Sequence, residues 1–230
     1  MKLYYIILFL TFIISHNSYS SEKRFKVHTL AFYNLENLFD TINDTSKRDE
    51  ASPIMEMKYN RSEVYNKKIK NLSKVISGIG FEETKTLPTI VGLCEVENKN
   101  VVEDLINSDL LKNANYGISH FDSPDERGID VALIYRNNIF KILNENSAYL
   151  ELKYASGKIN YTRDQLVVEG VLENEKIYII VNHWPSRSGG ELGSRPYRNK
   201  AAELNMYIID SIQSINCLLY TSDAADDSGC

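Results

Sequence analysis

The sequence predicts an α/β sandwich, packed β-sheets flanked by helices, in a single domain. Three observations predict it. Strand-like and helix-like segments are mixed along the 230 residues. Several of the strands follow one another with only turns between them, which disfavours an alternating barrel. Hydrophobic content of 43% and charged content of 25% are those of a globular chain long enough to bury a core, so disordered and collagen-like classes are excluded. The fifteen Tyr are scattered without a period, and no solenoid is indicated.

The two ends differ from the middle. Lys2 precedes an apolar run from Leu3 to Ile14, and Ser18-Tyr19-Ser20 sets small residues at a cleavage site. That is the order of a secretory signal, so residues 1–20 read as a signal peptide and the protein as exported, periplasmic or secreted. The run is shorter than the about twenty apolar residues of a membrane span, and no stable membrane association is expected after cleavage. Residues 217–230 lack core periodicity and resemble the translation of a sequencing adaptor. The expectation is a domain over residues 21–216 and a non-native tail that makes few contacts.

The formal charge of −5 becomes −2 without the tail's three Asp, and −3 once Lys2 leaves with the signal. A mildly acidic protein is not a sequence-blind nucleic-acid coat, which needs a net basic surface. It can still cut nucleic acid if a bound cation supplies the local charge. Two of the three Cys lie in the tail, so no disulfide framework is expected and Cys94 reads as core.

Taken in order, residues 25–33 are apolar on both faces and predict a strand buried on both sides. It ends in Tyr33-Asn34-Leu35-Glu36-Asn37, a cluster of hard oxygen groups. Residues 41–59 are polar, carry Pro53 and read as a long loop. Ile69, Leu72, Val75, Ile76 and Ile79 recur at helical spacing within 61–79, and Gly78 and Gly80 mark the end. Pro88 leads into the strand Thr89 to Cys94, terminated by Glu95-Val96-Glu97-Asn98. A second helix buries Val101, Val102, Leu105, Ile106 and Leu110. Strands follow over 116–121, 129–135, 139–152, 162–172 and 177–181. The last of these runs into Asn182-His183-Trp184-Pro185-Ser186-Arg187. Ser194 can cap a final helix, with Pro196 in its first turn and Ala201, Leu204, Ile208, Ile212 and Ile215 inward.

Asn34, Glu95 and His183 each follow a buried strand. A buried carboxylate is costly unless paired or metal-bound, and strand ends are where such sites gather. Asn and Glu oxygens suit Mg²⁺, Mn²⁺ or Ca²⁺, and the shortage of Cys and paired His argues against zinc. His titrates near neutral pH, and Arg grips a phosphate bidentately. Each residue also has a plainer reading: Asn34 as a turn former, Glu95 as a carboxylate before a helix, His183 as a satisfied core histidine. Glu36 and Glu97 read as solvated or capping. His16, His28 and His120 have no supporting partners and are assigned nothing.

Five ordered segments carry a resemblance: Tyr33-Asn34-Leu35-Glu36-Asn37, Gly92-Leu93-Cys94-Glu95, Arg127-Gly128-Ile129-Asp130-Val131-Ala132-Leu133, Thr162-Arg163-Asp164 and Asn182-His183-Trp184-Pro185-Ser186-Arg187. Over about residues 26–216 the chain resembles the endonuclease/exonuclease/phosphatase superfamily, and within it the exported, deoxyribonuclease-I-like bacterial members. The resemblance implies a four-layer sandwich with two central, mostly antiparallel sheets and a divalent-metal site at one edge. By position, Asn34 and Glu95 would hold the metal, Mg²⁺ or else Mn²⁺ or Ca²⁺. His183, Asp130 and Arg163 would form the catalytic set, and Arg163, Asn182 and Arg187 would bind substrate phosphate. Asp164 falls in a matched motif without an assigned role.

Two segments of the family pattern are missing: a strand ending Gly-Asp-Phe-Asn, expected where the tail begins, and a later Ser-Asp-His. The 230-residue chain is therefore expected to hold about half of a site, to leave a sheet edge uncovered and to be inactive by itself. The leading function is an exported metal-dependent nuclease with nucleic acid as substrate and no obligate protein partner. The alternatives are a lipid-directed phosphodiesterase of sphingomyelinase or phosphoinositide type, and an inactive binding module. The nuclease reading leads because no apolar hairpin or basic amphipathic stretch follows the signal.

Overall fold

β1 (Leu30–Leu38) lies parallel to β2 (Ile90–Val96), with the ladder opening at Leu30 opposite Ile90. The computed structural model describes residues 25–187 and 189–214 and the backbone of 218–223, so the expected signal peptide lies outside the described residues. The strand expected from residue 25 starts five residues later. Pro88 has no N–H to give to a ladder, and the first cross-strand bond is from the Thr89 N–H to the Thr29 carbonyl at 2.9 Å. Phe25 and Val27 are left exposed.

Two four-stranded sheets form the centre. The first has the order β1-β2-β4-β3, with β3 at Tyr116–His120 and β4 at Asp130–Arg136. The second has the order β10-β9-β8-β5. Its strands are β5 (Phe140–Ala148), β8 (Gln165–Leu172), β9 (Glu175–Asn182) and β10 (Leu218–Asp223). The strands β6 (Leu152–Lys153) and β7 (Ile159–Asn160) pair separately as a short hairpin. Among the described residues, all strand pairs are antiparallel except β1/β2 and β9/β10.

Strand alternation sorts side chains into layers. In β2, Val91 and Leu93 face α1 (Arg61–Gly78) and α3 (Lys99–Ile106), while Ile90 and Cys94 face the second sheet. In β9, Ile177, Ile179 and Val181 face the first sheet, and Tyr178 and Ile180 face α4 (Glu191–Gln213). A four-residue helix, α2 (Phe81–Thr84), follows α1. The layers are helix, sheet, sheet, helix, as the resemblance implies. Val75, expected on the inner stripe of α1, is exposed, and Leu110 lies exposed beyond the end of α3. The loop over 41–59 is packed rather than free: Ile54 and Asp49 are buried, and Asp49 begins a short 3₁₀ turn.

Other boundaries also differ from the sequence reading, among them the strand expected from residue 162, which starts at Gln165. The strand expected over 139–152 breaks after Ala148, because the Asp164 carboxylate takes the Ser147 hydroxyl at 2.9 Å and the Leu150 N–H at 3.3 Å and draws the chain off the ladder. The last helix begins at Glu191, before Ser194, since Gly189 and Gly190 at φ 79° and 88° supply the entry turn. Pro196 therefore sits in the second turn, and the Ser194 hydroxyl bonds back to the Gly190 carbonyl at 3.0 Å. Finally, residues 218–223, expected to make few contacts, pair in parallel with Ile177–Asn182. The open edge of β9 offers backbone groups that a chain returning from α4 can satisfy whatever its side chains.

Candidate active site

The site grows from an irregularity in β2. Cys94 pairs with Val131 and Val96 with Asp130, so Glu95 is the extra residue of a bulge. Its φ is 60°, a left-handed value rare for a residue with a side chain. Leu93 and Val96 both face the helices, three residues apart, which shows that the bulge resets the alternation at Glu95. The neighbouring β1 is irregular at the same level: its register shifts between Asn34 and Leu38, and Glu36 and Asn37 have φ of 52° and 58°.

The two irregularities lock together. The Asn34 side-chain amide donates to Glu95 Oε1 at 3.0 Å, and the Asn37 N–H donates to Glu95 Oε2 at 2.8 Å. Asn34 Oδ1 accepts the Glu36 N–H at 2.7 Å. Asn34 thus orients the Glu95 carboxylate, and its own oxygen closes the β1 turn. Lys68, half-buried on α1, bonds the carbonyls of Glu36 and Asn37 from below.

His183 continues the odd-numbered series of β9 that faces the first sheet. Its Nε2 lies 3.5 Å from Glu95 Oε1. Burial, followed by the charges of Arg163 and Arg127, holds the imidazole well below its usual range, so the ring is neutral at pH 7. Its Nδ1 is buried without a hydrogen-bond partner. Asn182, expected to bind phosphate, falls on the opposite face by the same alternation. It is buried against α4, where its amide donates to Asn205 Oδ1 at 3.2 Å.

Arg163 is buried, and desolvation works against its charge while the Asp125 carboxylate, 3.5 Å away, sustains it. Its Nη2 donates to the Trp184 carbonyl at 3.1 Å, beside His183. Asp125 also meets Arg127 at 3.6 Å, and these groups line a pocket of about 310 Å³ with Arg48, Tyr154, Tyr161 and Tyr197. Arg187 is exposed in the loop after β9. Asp130 is brought to neither Glu95 nor His183: it accepts the Ser123 N–H at 2.9 Å and lies 3.2 Å from His120.

Three residues were missed or misjudged by sequence: Glu97, His120 and His28. Glu97, read as solvated or capping, is buried and accepts the Asp40 N–H at 2.6 Å; burial raises its carboxyl to about 7. The Glu95 bulge sets which way the following residues face, and no residue type announces it. His120, assigned nothing, is buried beside Asp130, while His28 bonds Thr89 and Glu173.

Glu95 fits a hard divalent cation. Two donors fix its carboxylate, the adjacent His183 is neutral, and the charges of Lys68 and Arg163 reach it only at a distance. Asn34 fits better as the group that orients this ligand, because its oxygen is already engaged.

Comparison with known proteins agrees with this architecture. No curated protein sequence matches the chain. A mannosyl-6-phosphatase from Bacteroides thetaiotaomicron superposes with a TM-score of 0.51 at 13% identity, over 86% of this chain and 64% of that one. An endonuclease/exonuclease/phosphatase from Bacteroides vulgatus gives 0.50 at 15%, over 86% and 66%. TDP2 from C. elegans gives 0.51 at 14%, over 77% and 45%. The chain thus spans less than two thirds of the length of each. At these identities the likeness is one of fold. Residues 29–218 match the sequence pattern of the endonuclease/exonuclease/phosphatase family, and the chain belongs to that family.

Proposed function

We propose that the whole protein is an exported nuclease that hydrolyses phosphodiester bonds with a divalent cation, Mg²⁺ or else Mn²⁺ or Ca²⁺, held at Glu95. The observation that supports this most is the convergence of the bulged Glu95, the Asn34 that fixes it and His183 at 3.5 Å. A cation there would offset charge that develops on the phosphoryl oxygens. The Asn34 amide and Asn37 N–H keep the Glu95 carboxylate in one orientation throughout. His183, held neutral by burial, would offer its ring N–H as a hydrogen-bond donor to a phosphoryl oxygen. Arg163, tied to Asp125 and the Trp184 carbonyl, adds a fixed positive charge next to that ring. Arg127, beside Asp125, and the exposed Arg187 would meet flanking phosphates.

One observation favours a second reading, hydrolysis of a small phosphate ester. The pocket of about 310 Å³ beside Arg163, with three arginines and three tyrosines, has room for one sugar or nucleotide. One similar structure bears the name mannosyl-6-phosphatase. The test is to offer the whole protein plasmid DNA, RNA, mannose 6-phosphate and sphingomyelin vesicles, with Mg²⁺ and with EDTA. The nuclease reading expects EDTA-sensitive cleavage of nucleic acid as the fastest reaction. Release of phosphate or phosphocholine while DNA and RNA stay intact would replace it.

A further inference from the structure

We propose that His120, Asp122 and Asp130 form a second metal site, for a Zn²⁺-class ion, separate from the hard-cation position at Glu95. β3 ends at His120 and β4 begins at Asp130, and the antiparallel pairing of His120 with Ala132 sets these two ends side by side. One ligand atom from each of the three residues lies within 4.8 Å of the others. His120 Nε2 is 3.2 Å from Asp130 Oδ2, and both side chains are 3% exposed. A tetrahedral ion with bonds of about 2.0–2.1 Å sets its ligand atoms roughly 3.3 Å apart. The observed spacing is that of two ligands on one ion.

The plainer account is a buried His–Asp hydrogen bond. Geometry speaks against it: despite the 3.2 Å approach, Nε2 makes no directed hydrogen bond to Asp130 or to any other group. A buried nitrogen left unpaired is unfavourable, and an ion would remove that cost. Asp130 Oδ1 accepts the Ser123 N–H at 2.9 Å, the kind of outer contact that fixes a ligating carboxylate. Asp122 is exposed, so the third ligand closes the site from the solvent side and leaves the ion a route in. An imidazole beside two carboxylates suits Zn²⁺ or Co²⁺ better than Mg²⁺, which prefers oxygen alone.

The site clamps both ends of the turn over residues 121–129, and that turn carries Asp125, the partner of Arg163. The ion therefore steadies, at one remove, an arginine beside His183.

The test uses metal-stripped whole protein, wild type and Glu95→Gln, titrated with Co²⁺ and followed by visible d–d absorption and equilibrium dialysis. The expected result is a Co²⁺ band in both proteins, discharged by Zn²⁺. His120→Asn should abolish the band. Asp122→Asn, which alters only an exposed side chain and leaves the fold intact, should weaken Co²⁺ binding by at least about tenfold. A wild-type protein without the band overturns the proposal. So does a band lost in folded Glu95→Gln, or one that survives Asp122→Asn with unchanged affinity.

Discussion

Glu95 holds φ 60° inside a strand, a conformation that costs of order 1–3 kcal/mol and persists only where its surroundings impose it. Asn34 and Asn37 impose it through their bonds to both carboxylate oxygens. His183 differs: it is partly buried and neutral, with an unpartnered Nδ1, so it contributes little to folding. His183→Ala should therefore cut phosphodiester hydrolysis by about 10²-fold or more while stability changes by only about 1–2 kcal/mol. Measuring turnover and melting on one preparation separates these effects, and a large stability loss with near-normal turnover would make His183 a core residue. Glu97 gives a pH signature. Its folded carboxyl titrates at about 7, above the unfolded value near 4.5, so the folded state holds the proton more tightly. Its contribution is fully present below pH 4.5 and is lost as pH rises through 7. In metal-free protein, Glu97→Gln should match wild type near pH 4.5 and be more stable at pH 8, by up to about 3 kcal/mol. Equal stabilities at pH 8, from denaturant titration, would show that the buried charge costs nothing.

At the scale of elements, much was legible and one device was not. The alternation of Ile177, Ile179 and Val181 against Tyr178 and Ile180 is written in the residue types, and extending it by two places sets His183 toward the first sheet and Asn182 toward α4. Asn182 was assigned to phosphate because its motif was read without that alternation. The paired irregularities of β1 and β2 were not read from the sequence: Asn37 is of a type that tolerates a left-handed backbone, but Glu36 and Glu95 are not, and the cause lies in the neighbouring strand. The break in the strand after Ala148 was hidden in the same way: Asp164 makes it from fourteen and more residues away. Close strand contacts are testable through glycine. A Cβ at Gly170 of β8 would stand 2.1 Å from the Phe140 ring and 2.9 Å from the Lys141 carbonyl of β5. Gly170→Ala should destabilise the protein by about 1–3 kcal/mol without altering the pH profile of activity. An unchanged denaturation midpoint would mean that β5 is free to shift.

For the whole molecule, two sheets face each other through Ile90, Cys94, Val131 and Leu133 on one side and Leu166, Val168, Ile179 and Val181 on the other. Val181 lies 3.3 Å from where a Cβ on Gly92 would stand, so the two strands that lead to Glu95 and His183 approach each other closely. Periodicity alone reads as packed sheets with helices; the order of four layers came from the ordered motifs, because no local pattern says which sheet faces which. That close approach is what carries a carboxylate from one sheet to an imidazole from the other, and the central claim is that a cation and a phosphate meet between them. The most direct measurement is Mg²⁺-dependent cleavage of plasmid DNA by whole protein and its Glu95→Gln variant, with melting curves recorded on both. The variant should melt as a folded protein and lose cleavage by roughly 10²–10³-fold or more, as when a fixed electrostatic group is removed from a reacting centre. Turnover near wild type in a folded Glu95→Gln protein would contradict the account and take Glu95 out of the site.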